Sequence, residues 1–90
     1  MKDSMARATG IALAATGGAH FVAPEIFEDL TTVAFPQDTD TWIKRNGATE
    51  VALGLGLLSR RTRKLATLGL LAYVGHLGFR AATNGQASGS

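Results

Sequence analysis

The chain has 90 residues, a formal net charge of +2, 46% hydrophobic residues and no cysteine. This length allows one domain at most, and the absence of cysteine excludes disulfides, thiolate metal sites and a cysteine nucleophile. The basic residues are clustered and the aromatic residues lie within apolar runs, whereas a nucleic-acid surface needs cationic and stacking side chains spread over one face. We therefore expect no nucleic-acid partner.

The first element in chain order is an apolar run at residues 8–23, interrupted only by two threonines and His20. We predict a first membrane span at residues 6–23, which is near the short end of the usual range of about 17–25 residues. The alternative is a cleaved signal peptide in which Lys2 and Arg7 form the basic start. We expect the helix to be retained, because the acidic segment that follows continues naturally from an uncut helix.

A polar and acidic stretch at residues 24–41 follows the first span. Within it, the apolar residues of positions 25–35 (EIFEDLTTVAF) are spaced as on one face of a short helix. Pro24 suits the first turn of such a helix and Pro36 its end. We therefore predict a short amphipathic helix that lies in the membrane interface between the first and second spans.

Two further apolar runs predict a helical hairpin, with spans at residues 42–59 and 65–81. A strongly basic turn joins them, and its cationic residues are Arg60, Arg61, Arg63 and Lys64. Basic loops are retained on the cytoplasmic side of a membrane. This turn therefore predicts an N-terminus inside and a C-terminus outside the bacterial cytoplasmic (inner) membrane.

These elements together predict an all-α fold, an integral membrane three-helix bundle with one interfacial helix. The single domain covers residues 1–82, and residues 83–90 are predicted to be a disordered tail. The alternative is a soluble helical bundle. Against it, residues 51–58 and 65–71 lack the regularly spaced charges that a helix on a soluble surface shows.

Small residues recur at four-residue spacing on the first two predicted spans. The first carries Ala14 and Gly18, and the second carries Ala48, Ala52 and Gly56. Small residues at this spacing allow membrane helices to approach closely. We expect these residues to pack helices together, either within the chain or against another subunit.

The predicted topology brings three polar residues, His20, Glu50 and His76, to a similar depth in the outer leaflet. Ionisable residues inside a membrane usually face a bundle interior or a water-filled cavity. Three interpretations are open: hydrogen bonds among His20, Glu50 and Asn46 or Arg80 that fix helix packing, a polar pocket for a quinone or lipid headgroup, and a site with two histidines and one carboxylate for a metal. We assign no metal ligand and no catalytic residue, so no cofactor is expected apart from a quinone or lipid in the second interpretation.

Three segments resemble the DoxX-like small membrane proteins of bacteria. They are residues 20–27 (HFVAPEIF), 47–54 (GATEVALG) and 57–66 (LLSRRTRKLA). In that family the first helix ends in a similar HF-x-x-PE-x-F string, the second carries G-x-x-E-x-x-x-G, and a basic R-x-R-x-L-A turn follows. The resemblance covers residues 8–80, although the usual family bundle has four helices and three are predicted here.

The resemblance implies a bundle in the cytoplasmic membrane, and some relatives are described as subunits of a thiosulfate–quinone oxidoreductase or as partners of redox enzymes. A bundle with one helix fewer leaves an apolar face uncovered. We therefore expect a non-catalytic accessory or structural subunit of a larger membrane complex, with the bilayer and other subunits or further copies as partners. The alternative is a quinone- or lipid-linked redox component that uses His20, Glu50 and His76.

Overall fold

The computed structural model describes residues 2–89, with side chains described through Asn84. Four α-helices and one 3₁₀ turn make up this part of the chain: α1 (Asp3–Val22), the 3₁₀ turn (Pro24–Phe27), α2 (Glu28–Ala34), α3 (Thr39–Leu58) and α4 (Arg60–Gly89). The all-α prediction is thus confirmed for the described residues.

Only one of these helices has the length and composition of a membrane span. Within the described residues, the stretch Arg60–Asn84 of α4 is long and apolar enough to cross a bilayer, whereas α1 and α3 do not reach that standard. Both are 20 residues long, but their charged ends shorten the apolar part. Three membrane spans therefore remain a prediction.

Helices α1 and α3 run antiparallel in close contact, and glycines make that contact. Gly10 lies against Gly54, and Gly17 lies against Gly47. A Cβ atom at Gly17 would stand 2.6 Å from both the Gly47 carbonyl oxygen and the Val51 amide nitrogen. The two glycines of α1 are seven residues apart, and so are the two glycines of α3. The contact therefore follows one face of both helices for two turns.

Two of the five helix-packing residues predicted from sequence lie at helix contacts within the chain. Ala14 does contact Gly54, and Gly56 faces Ala66 of α4 at 2.9 Å from its projected Cβ. In contrast, a Cβ at Gly18 would meet nothing within 4 Å, and Ala48 and Ala52 are exposed. The seven-residue glycine register, rather than the predicted four-residue one, faces the partner helix. Packing of Ala48 and Ala52 against another subunit remains a prediction.

The basic segment predicted as a turn is the beginning of α4, and the chain reverses direction at Ser59 alone. Ser59 has an extended backbone conformation (φ −103°, ψ 131°). The last carbonyl groups of α3 accept hydrogen bonds from this segment: Thr62 Oγ1 donates to Gly56 (2.7 Å), and Arg63 Nε donates to Leu57 (3.0 Å). Part of the basic segment therefore caps α3.

Helix α2 packs against α4 near the far end of the molecule. Asn84 Nδ2 donates a hydrogen bond to the Ala34 carbonyl at 2.8 Å, and the Arg80 side chain donates to the same oxygen at 3.4 Å. Directly after α2, Phe35 is fully buried and stacks on Trp42 with ring centroids 4.2 Å apart. These contacts hold the segment that was predicted to be an interfacial helix, although they do not place it in an interface.

The predicted disordered tail overlaps the end of α4. The helix continues to Gly89, so residues 83–89 extend it, and Asn84 anchors α2 as described above. Ser90 lies outside the described residues.

The start of α1 lies beside the basic segment. Asp3 contacts Arg63 Nη1 at 3.0 Å and Arg60 Nε at 3.3 Å, and Arg7 Nε lies 3.3 Å from the other carboxylate oxygen. The hydrogen bonds from Arg63 and then Arg60 lower the pKa of Asp3 below its ordinary value of 3.8. We call these four residues the Asp3 cluster.

The lowered pKa of Asp3 predicts a pH-dependent effect of Asp3→Asn. The carboxylate stabilises the fold fully above pH 3.8 and loses this effect as the pH falls through the lowered folded-state pKa. Thermal unfolding followed by circular dichroism should show Asp3→Asn melting slightly below the unsubstituted protein at pH 7, with the difference vanishing in acid. Asp40→Asn is the control, because Asp40 also lies in a first helical turn but has no ion pair in the described chain. A difference for Asp3→Asn that persists in acid would contradict the prediction.

Candidate functional site

A cavity of about 280 Å³ lies among α1, the 3₁₀ turn, α2, α3 and α4. Most of its wall is apolar, but polar side chains reach it from all four α-helices. Its lining residues are Thr16, His20, Phe27, Leu30, Thr31, Ala34, Phe35, Asn46, Glu50, Tyr73, Leu77 and Ala81. A mainly apolar cavity with a few convergent polar groups is the usual form of a small-molecule site.

The close α1–α3 contact positions two of the polar residues. His20 follows Gly17 by three residues and Glu50 follows Gly47 by three, so both side chains lie one turn away from the glycine contact. Both are buried, and His20 Nε2 lies 3.7 Å from Glu50 Oε2. The predicted proximity of His20 and Glu50 is therefore present in the structure.

Tyr73 of α4 completes this group. Its hydroxyl donates a hydrogen bond of 2.5 Å to the same carboxylate oxygen of Glu50 that faces His20. A hydrogen bond from a hydroxyl to a carboxylate is short and roughly twice as strong as one between neutral groups. Glu50 thus joins α1, α3 and α4 at one point.

The orientation of the His20 ring determines what its second nitrogen presents to Glu50. Nδ1 lies 2.8 Å from the Thr16 carbonyl oxygen, which can only accept, so Nδ1 is assigned the proton. The ring also stacks on Phe27 with centroids 3.7 Å apart and planes at 14°. Nε2 therefore presents either a lone pair or, in the charged imidazolium, a proton toward the carboxylate.

The gap between His20 and Glu50 is wider than a hydrogen bond. The 3.7 Å between His20 Nε2 and Glu50 Oε2 exceeds the usual range for a hydrogen bond. The remaining attraction is electrostatic, and it is that of an ion pair only when the imidazole is charged. If His20 is neutral, a lone pair faces a carboxylate, which is unfavourable unless a proton is shared or a donor group bridges them. The arrangement is thus suited to a ligand hydroxyl or to proton handling.

Two further buried polar side chains line the cavity without a partner. Asn46 is 6% exposed and Thr31 is 7% exposed, and neither side chain forms a hydrogen bond with any residue in the described part of the chain. The polar atoms of these two side chains are not fully enclosed, so they remain accessible from the cavity they line. An amide and a hydroxyl are therefore available to a molecule in the cavity.

His76, the third predicted site residue, lies outside the cavity. Its side chain is exposed, and its ring centroid lies 5.7 Å from that of Phe35 and 5.8 Å from that of Trp42, with Arg80 above both rings. His76 is three residues beyond Tyr73, which displaces it by about 4.5 Å along the helix and about 60° around it. Of the three residues predicted to lie at a similar depth, the structure brings His20 and Glu50 together at the cavity and leaves His76 outside it.

Sequence reasoning did not select Tyr73 or Thr31, whereas Asn46 was considered only as a partner in hydrogen bonds that fix helix packing. Tyr73 lies within the apolar run of α4, and a tyrosine hydroxyl that is buried usually has a hydrogen-bond partner. This requirement was the one feature of the sequence that could have identified Tyr73. Thr31 carried no signal in the sequence, because its burial depends on how α2 folds back over α3. In the described part of the chain no three residues among His, Asp and Glu are grouped to hold a metal ion.

The fold and the cavity define a class: an all-α protein in which a glycine-packed helix pair and two further helices surround a small, partly polar cavity. The chain belongs to the family described as "Domain of unknown function (DUF8561)", whose model matches residues 9–83. That range includes every residue that lines the cavity. No match was found among functionally curated proteins or among solved structures. The family match carries no link to DoxX-like proteins, so that resemblance remains a prediction.

Proposed function

We propose that the chain is a small integral membrane protein that binds the polar head of a lipophilic ligand, such as a quinone or a lipid, in the cavity around Glu50. The observation that carries the proposal is the pair of buried, unpartnered side chains, Asn46 and Thr31, beside the linked His20, Glu50 and Tyr73. The polar atoms of both side chains are accessible and form no hydrogen bond within the described residues, which leaves them available to a molecule in the cavity.

The exposed surface favours a membrane environment. Large apolar side chains that are more than half exposed follow the length of α4: Leu65, Leu68, Leu71, Val74 and Phe79. Soluble monomers rarely expose continuous apolar surface of this extent. In a bilayer the same surface contacts lipid chains.

The Asp3 cluster supports the proposed N-in, C-out orientation. It places the start of α1 and the start of α4 at the same end of the molecule. Residues 2–7 and 60–64 carry six cationic side chains and one carboxylate at that end. An excess of Lys and Arg marks the cytoplasmic side, so α4 would run outward through the bacterial inner membrane.

The polar groups of the cavity define the chemistry of the head that fits it. Glu50 accepts hydrogen bonds, whereas Asn46 and Thr31 each offer both a donor and an acceptor. A neutral head with a hydroxyl and a carbonyl satisfies this set, while an anionic head would be repelled by the carboxylate. A cavity of about 280 Å³ holds a ring-sized head and leaves the chain of the ligand outside.

Thr31→Val provides a sharp test of ligand binding. The substitution preserves shape and removes a buried hydroxyl that has no protein partner, so the fold should be unchanged or slightly more stable. Affinity for the cavity ligand should fall about tenfold or more, because one ligand hydrogen bond is lost. The measurement is native mass spectrometry after gentle detergent extraction, with lipophilic ligands identified by extraction of the purified protein.

Thr32→Val is the matched control, since the neighbouring hydroxyl is exposed and bonds to the Glu28 carbonyl at 2.7 Å. Ligand occupancy should be unaffected by that change. Equal occupancy in Thr31→Val and Thr32→Val would contradict the proposal, as would purified protein that carries no ligand beyond bulk phospholipid.

A second candidate function is that of a non-catalytic accessory or structural subunit of a larger membrane complex. The exposed side chains of Ala48 and Ala52 favour it, because they form a small-residue surface on α3 that no helix of the described chain covers. The same gentle extraction tests this role. Co-purification of larger, different subunits would support it, and a homo-oligomer or monomer with bound ligand would leave ligand binding as the function.

A further inference from the structure

The cytoplasmic end of the molecule, as proposed above, carries more positive charge than its one carboxylate can balance. Asp3 is shared by Arg7, Arg60 and Arg63. Arg61 and Lys64 are exposed and form no ion pair in the part of the chain that the structure describes. This end therefore has a local excess of cationic groups directly beside the start of the apolar α4 surface.

A second cavity, of about 380 Å³, lies within this cationic region. It is lined by residues on one face of α4, namely Arg60, Arg63, Lys64, Thr67 and Leu68. Cationic side chains thus lie next to an apolar one around a single opening. The apolar surface continues along the exposed leucines of α4, since Leu68 is 61% exposed and Leu71 is 66% exposed.

Arg63 is held in place at this cavity. Its Nε donates to the Leu57 carbonyl at 3.0 Å, and its Nη1 lies 3.0 Å from Asp3. Its Nη2 is buried and has no hydrogen-bond partner among the described residues. Arg63 therefore contributes a fixed positive charge to the cavity, whereas the exposed Arg60 and Lys64 can contact a phosphate directly.

We propose that this cavity binds the phosphate head of an anionic phospholipid, whose acyl chain lies along Leu68 and Leu71. The cationic side chains attract the phosphate, and the adjoining exposed leucines contact the acyl chain. Both parts of an amphipathic anion are therefore bound. Basic pockets at the cytoplasmic ends of membrane helices bind anionic headgroups in this manner. The inference rests on the membrane location in the proposed function and does not depend on the Glu50 cavity.

The test compares two double substitutions that remove the same charge. Arg60→Gln with Lys64→Gln alters the proposed site but retains Arg63, which caps α3. Lys44→Gln with Arg45→Gln is the control, because both residues are exposed on α3 at the opposite end of the molecule. Each purified protein, in an uncharged detergent, is titrated with phosphatidylglycerol, with phosphatidylcholine of the same chain length, and with glycerol phosphate, and binding is read by native mass spectrometry.

We expect the unsubstituted protein and the control to prefer phosphatidylglycerol, and the Arg60/Lys64 variant to bind it at least about tenfold more weakly. Equal loss in both variants, or no preference over phosphatidylcholine, overturns the proposal. Binding of glycerol phosphate as tight as that of the lipid overturns the phospholipid assignment in favour of a soluble phosphate ester. Thr31→Val, which alters the Glu50 cavity without changing its charge, should not change phosphatidylglycerol binding, which separates this site from the Glu50 cavity.

Discussion

Gly17→Ala is expected to destabilise the protein by about 1–3 kcal/mol, because the added methyl group overpacks the contact between α1 and α3. The new Cβ would stand 2.6 Å from a backbone oxygen and a backbone nitrogen of α3, and backbone atoms cannot rotate away as a side chain can. The two helices would have to separate, which also moves His20 away from Glu50. The free energy of unfolding in detergent, from denaturant titration, is the measurement.

Gly18→Ala is the matched control for that prediction. Gly18 is the next residue of the same helix, and a Cβ there meets nothing within 4 Å. Both substitutions gain helix propensity, worth about 1 kcal/mol, so only the contact with α3 distinguishes them. Gly18→Ala should therefore be neutral or stabilising. Equal effects of the two substitutions would show that α1 and α3 do not pack through glycine.

This pair of glycines also shows where sequence reasoning was limited. The four-residue spacing that favoured Gly18, Ala48 and Ala52 is one of several small-residue patterns in these helices. The structure uses Gly10, Gly17, Gly47 and Gly54 instead, at seven-residue spacing. With 11 glycines in 90 residues, composition alone could not identify the contacting face. The helices themselves were predictable, because apolar runs and Pro36 determine their number and approximate limits.

The candidate site could be predicted from the sequence only in part. His20 and Glu50 are ionisable residues within apolar runs, so their burial and pairing could be predicted from the cost of isolating a charge. Depth along the helices placed His76 with them, but depth does not determine which face of α4 a residue occupies. Tyr73 occupies the face that meets Glu50, and only the packing of α4 against α3 reveals it.

The pairing of His20 with Glu50 predicts unequal effects when either partner is replaced. In Glu50→Gln, a neutral amide replaces the carboxylate; its oxygen can keep the hydrogen bond from Tyr73, and no buried charge then depends on His20. In His20→Phe, an aromatic ring still stacks on Phe27, but the Glu50 carboxylate remains buried with Tyr73 as its remaining partner. A buried charge that loses its partner is strongly destabilising.

We therefore expect His20→Phe to reduce the free energy of unfolding by about 3 kcal/mol and Glu50→Gln to reduce it by about 1 kcal/mol or less. The double variant should be more stable than His20→Phe alone, since a neutral amide then replaces the unpaired carboxylate. His76→Phe is the control, because that histidine is exposed and lies outside the cavity. Equal costs for the two single substitutions, with additive effects in the double variant, would mean that His20 and Glu50 do not interact.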